Sequence, residues 1–72
     1  MKHKWKIKLI MSNGAVISGT YECDHVRSVE VGKELLCGDN NTFNAIACSN
    51  EAGPSQLFFR LGDVSAMEIS PL

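Results

Sequence analysis

Residues 3–11 alternate without interruption. His3, Trp5, Ile7, Leu9 and Met11 fall on one side, and Lys4, Lys6 and Lys8 on the other. Successive side chains of a strand point to opposite faces, so this period of two predicts a half-buried strand. Ser12-Asn13-Gly14 then makes a turn. A two-residue Asn13-Gly14 loop would set Lys6 opposite Tyr21 and Trp5 opposite Glu22, mixing polar and apolar partners on both faces. A three-residue loop sets Leu9 opposite Ile17, Ile7 opposite Gly19 and Trp5 opposite Tyr21. Lys8 then meets Ser18, Lys6 meets Thr20 and Lys4 meets Glu22. Only the second register gives one apolar and one polar face, as a half-buried hairpin requires. Gly14 takes the left-handed position that closes such a loop. Gly19 marks a bend or a close backbone approach.

Residues 24–37 read as a helix, with Asp24 as N-cap and Gly38 just past the end. Val26, Val29 and Leu36 form its apolar stripe, interrupted by Lys33, and Glu30 and Lys33 pair on its exposed side. Gly32 and the three valines support a rival reading, an irregular turn plus a short strand. Asp39-Asn40-Asn41 is a loop. Residues 42–49 predict a third strand, in which Phe43, Ala45 and Ala47 alternate with Asn44, Ile46 and Cys48. A Gly-Pro turn over 50–54 leads to a fourth strand at 56–61. That strand is apolar on both faces (Leu57, Phe59 and Leu61 against Phe58), as a central strand would be. Gly62-Asp63 turns the chain into a fifth strand at 64–70, ended by Pro71. The expected fold is therefore mainly β (α+β). It is a small curled antiparallel sheet or open barrel, in the order β-β-α-β-β-β, with the helix over one opening.

Length and composition narrow this picture. Seventy-two residues hold one domain, residues 1–72, with 44% apolar residues. A core this small usually gains support from disulfides, a metal or oligomerisation. Cys23, Cys37 and Cys48 are an odd set with no CxxC spacing, which argues against a disulfide framework and leaves a homo-oligomer as the expected support. The net charge of -1 lacks the basic excess of most nucleic-acid binders. No long apolar run follows the basic start, so neither a signal peptide nor a membrane span is expected, and the chain reads as cytoplasmic.

Few residues point to chemistry. Cys23-Asp24-His25 brings together the residue types of a thiol nucleophile, but no oxyanion-hole loop accompanies it. Cys23, His25, Cys37 and Cys48 offer zinc-type donors without the short paired spacing such sites use. No catalytic residue, metal site or cofactor is therefore assigned. Small buried thiols account for the cysteines more simply. Lys2, Lys4, Lys6 and Lys8 form a basic row, with Lys4, Lys6 and Lys8 the candidate contacts to an anion or an acidic partner. The plainer reading is a solvated edge strand protected by its lysines. Asn40, Asn41 and Asn44 present donors and acceptors that suit a ligand edge, though asparagines also build ordinary turns. Arg60 is placed to fork onto an anion or to pair with a carboxylate such as Glu68. Trp5, Tyr21, Phe43, Phe58 and Phe59 read mainly as core. Phe58 points away from Leu57 and Phe59 and is the candidate interface residue.

Two stretches carry a resemblance. Residues 7–19, a strand, a tight turn and a strand reaching Gly19, look like the first hairpin of Sm-like and SH3-like small barrels. Residues 58–69 resemble the last strand–turn–strand of such barrels. Together with Asn41-Thr42-Phe43, this ending also resembles small uncharacterised proteins of phages and prophages in Gram-positive bacteria. The predicted helix lies between strands two and three, whereas Sm-like proteins carry one before the first strand. The small core, the missing staples and the two-faced fourth strand point to a non-catalytic binding protein that works as a homo-oligomer. The resemblance implies its more specific form, a phage-encoded inhibitor in the host cytoplasm that binds a host protein or sequesters a small nucleotide signal. The alternative is an Sm-like nucleic-acid-binding module that uses the lysine row.

Overall fold

The structure, a computed structural model, describes residues 1–72 except for the side chain of Asn50. In chain order it comprises β1 (His3–Met11), β2 (Val16–Cys23), α1 (Ser28–Leu35), β3 (Phe43–Asn50), β4 (Gly53–Arg60), a 3-10 turn (Leu61–Asp63) and β5 (Val64–Pro71). The strands form one antiparallel, unclosed sheet in the order β4-β3-β2-β1-β5.

The first hairpin takes the expected register. Trp5 faces Tyr21, Ile7 faces Gly19, Leu9 faces Ile17, and Lys4 faces Glu22. Gly14 has φ +90° and its amide bonds the Met11 carbonyl at 2.9 Å. Gly19 is a close approach. A Cβ there would stand 2.5 Å from the Ala47 carbonyl oxygen and 2.8 Å from Ile46 Cδ1, so the bare backbone makes the room in which Ile46 packs.

One face of the sheet carries the core. Trp5, Ile7 and Leu9 of β1 meet Cys23, Ile46 and Phe59 from the strands beyond, and α1 covers them with Val31 and Leu35. Each such apolar side chain removed from water contributes about 1.5–3 kcal/mol.

The helix is shorter than expected and turned differently. Asp24 is not its N-cap. That position belongs to Arg27, and Asp24 instead lies 4.0 Å from the Met1 ammonium and 3.9 Å from Lys2 Nζ. The Trp5 indole N–H donates to the His25 carbonyl at 3.3 Å, which holds residues ahead of the helix in an irregular path. With Val26 outside the helix, the expected stripe fails. Val26, Val29 and Leu36 are 71%, 57% and 47% exposed, while Val31 and Leu35 are buried. Docking decides this. At Gly32 a Cβ would sit only 3.3 Å from Ile69 Cδ1, so this glycine faces β5 and turns Val31 and Leu35 inward. Glu30 consequently pairs with Arg27 rather than Lys33.

β4 is an edge strand, not the expected central one. The Gly53-Pro54 dipeptide lies inside it, opposite Asn50 and Ser49, rather than in the turn. Proline has no N–H to donate, so it fits a strand with one unpaired side. The aromatic residues also divide. Trp5 and Phe59 are core, but Phe43 and Phe58 are 62% and 66% exposed. Phe43 therefore lies outside the core in which its place on an alternating strand predicts it. Its strand turns Asn44 and Ile46 inward, which turns Phe43 out.

Candidate binding surface

The uncovered face of the sheet follows from the same alternation. β1 contributes Lys4, Lys6 and Lys8, and β2 contributes Ser18, Thr20 and Glu22. β5 brings Glu68 opposite Lys8 and Ser70 opposite Lys6. Farther along, β3 and β4 show Phe43, Ala45, Ala47, Phe58 and Arg60. The face thus has a lysine–hydroxyl zone and an aromatic zone. β1 pairs on both sides, which overturns the edge-strand reading of the lysines. Among the described residues, Lys4, Lys6 and Lys8 have no carboxylate within 4.0 Å.

Asn40, Asn41 and Arg60 come together at one end of β3 and β4, where the turn engages the backbone of both asparagines and Asp63 holds the arginine. The Asn40 carbonyl accepts the Gly62 amide at 3.0 Å. The Asn41 amide donates to Asp39 Oδ1 at 2.9 Å in an Asx turn. Asn44 points to the core side, where its Nδ2 donates to the Leu35 carbonyl and satisfies an orphan acceptor at the helix end. Arg60 forks onto Asp63, with Nη2 at 2.7 Å from Oδ1 and Nε at 3.1 Å from Oδ2. Its partner is therefore Asp63, three residues on, rather than Glu68.

Sequence reasoning missed one polar cluster. The Tyr21 hydroxyl donates to Glu34 Oε2, and His25 Nε2 lies 3.1 Å from Glu34 Oε1. Burial, then the hydrogen bond to the Glu34 carboxylate, push the Tyr21 phenol up to about 12. The same hydrogen bond, with help from His25, holds the Glu34 carboxyl below the usual carboxylate range. The available signal was a tyrosine on an apolar strand face, whose hydroxyl needs a partner when partly buried. The cluster ties α1 to β2.

His25 turns toward Glu34, Cys23 is buried, and Asp24 faces the N-terminus, so Cys23-Asp24-His25 is not assembled. Cys37 is exposed rather than buried, and all three thiols are free. Among the described residues no three His, Cys, Asp or Glu side chains converge as metal ligands. Among the described residues no helix is long and apolar enough to cross a membrane.

No family model matches the chain, and neither a curated protein nor a solved structure matches it.

Proposed function

We propose that the chain is a non-catalytic binding protein that works as a homo-oligomer, assembling through the outer face and free edge of β4. The observation that carries this reading is the exposed pair Phe43 and Phe58 beside an unpaired strand edge. Phe58 stands opposite Ala45 and one diagonal step from Phe43, so the two rings share one patch. Edge strands that stay monomeric usually carry lysines or inward charges. Arg60 is the one charged residue of β4, and Asp63 holds it. A second copy related by a two-fold axis would bring edge to edge and patch to patch. A standard interface takes about 800 Å² from each partner, against an accessible surface of 4857 Å² for this chain.

Light scattering at micromolar concentration tests this. The native chain should run as a dimer or larger, and Phe43→Ser with Phe58→Ser as a folded monomer. A native chain that is a folded monomer throughout overturns the assembly. The resemblance to small phage proteins adds an inhibitor role in an infected host. A locus among phage genes supports that role, and a housekeeping operon removes it. Nucleic-acid binding is the second reading, favoured by Lys4, Lys6 and Lys8 having no carboxylate within 4.0 Å among the described residues. A gel shift at low salt tests it, because electrostatic binding is strongest there.

A further inference from the structure

We propose that the seam between β2 and β3 on the uncovered face is a binding site for a small organic monophosphate, with Lys6 as its anion anchor. This rests on the binding part of the proposed function and not on the oligomer, because the site lies within one chain.

Among the described residues β2 and β3 meet at one ladder position, Thr20 opposite Ala47. A groove of about 430 Å³ opens along that seam, with Ser18 and Thr20 on one bank and Ala47 and Ser49 on the other. Lys6 lines it as well, and Pro54 and Leu72 add apolar wall. Lys6 and Ser18 also line a second, smaller cleft of about 170 Å³, shared with Lys8, Glu68 and Ser70. The two depressions therefore meet at one cation and one hydroxyl.

The chemistry of the lining selects the ligand class. An ammonium without an ion-pair partner, flanked by hydroxyls that donate, suits a phosphate oxygen. The apolar wall of Ala47, Pro54 and Leu72 suits a carbon-rich or planar body attached to that phosphate. The volume falls within the ~300–1,000 Å³ of small-molecule sites. Glu68 limits the charge. It lines the smaller cleft beside Lys8, so a chain of phosphates running that way would meet a carboxylate. One phosphate at Lys6 fits, and a polyphosphate does not.

Amide NMR titration tests the site with four probes: inorganic phosphate, adenosine monophosphate, adenosine and a short single-stranded oligonucleotide. The expected result is that the monophosphate shifts the amides of Ser18, Thr20 and Ala47. Inorganic phosphate shifts them more weakly, and adenosine leaves them in place. Lys6→Gln weakens the monophosphate about tenfold, the loss of one charge-assisted hydrogen bond, whereas Lys33→Gln on the helix changes nothing. Ser18→Asp, which puts a negative charge in the groove, gives the same loss should Lys6→Gln fail to fold. Adenosine binding as well as its monophosphate overturns the anion site. So does unchanged binding by a folded Lys6→Gln, or silence from every probe. An oligonucleotide that binds where the mononucleotide does not overturns the small-ligand reading. Repeating the titration on the Phe43→Ser, Phe58→Ser chain separates the two ideas: binding retained by the monomer upholds the groove whatever becomes of the assembly.

Discussion

The two halves of this sheet are built differently. Around β1 the pairing is continuous. Every residue from His3 to Ile10 has a partner on β2, and β5 follows β1 from Trp5 to Met11. The helix lies over this half. The β3–β4 hairpin is as regular within itself, from Phe43 opposite Arg60 to Asn50 opposite Gly53, yet among the described residues its ladder to β2 is the pair Thr20 and Ala47. What attaches it is side-chain packing, chiefly Ile46 in the space above Gly19 and Phe59 in the core. Backbone ladders hold one half, and chiefly side-chain packing holds the other. The loosely joined half also carries the exposed aromatic rings and one bank of the groove. The proposed binding surfaces thus lie in the half joined by the shorter ladder, in keeping with the general placement of binding elements.

The largest expected effect lies in the continuous half. Ile7→Ala empties a fully buried position between two ladders and should cost about 3 kcal/mol. Chemical denaturation should show the loss in one cooperative transition, and separate transitions for the two halves would break the comparison. Gly19→Val strikes the joint. Its side chain meets Ala47 and Ile46, and about 2 kcal/mol of overpacking is expected. Hydrogen exchange should then show β3 and β4 amides losing protection while β1 and β5 keep theirs. Equal loss everywhere would mean that the halves are not distinct.

Tyr21→Phe acts on the tie between helix and sheet and should cost about 1 kcal/mol. Its pH signature is directional. The folded phenol titrates at about 12 rather than 10.0, so its share of stability is complete below pH 10 and fades as pH rises toward 12. Glu34 runs the other way: its lowered pKa gives stability that is present above the usual carboxylate range and lost on acidification. Tyr21 is the only tyrosine, so tyrosinate absorbance follows it directly. A phenol titrating near 10 would remove the Tyr21–Glu34 tie. The smallest effect is expected at Phe43→Ser, an exposed position where stability should move by no more than about 0.5 kcal/mol. A larger loss in the monomer would make Phe43 a folding residue and weaken its role in assembly.

The candidate site was partly legible. The lysine row and the outward turn of Phe58 follow from strand alternation, and both lie on the uncovered face. The Asn loop read as a ligand rim because asparagine chemistry serves ligands and turns alike. The position of Leu35 shows that the helix end uses the Asn44 side-chain amide, whereas Asp39 and Gly62 bond the backbone of Asn41 and Asn40. Pro54 was the overlooked signal for an edge strand, outweighed by the apolar run around it.

The sequence by itself determined what short-range geometry controls. The strand period of two fixes which side chains share a face, and a three-residue loop ending in Gly14 fixes the first register. Both act within a few residues, so composition and spacing report them. Strand order, the buried side of α1 and the placement of the groove were decided by tertiary structure. Each depends on a meeting of distant residues: Gly19 with Ile46, Gly32 with Ile69, Tyr21 with Glu34. In such pairs neither residue carries the information alone. The space left by a missing side chain acquires meaning only when another segment arrives to fill it.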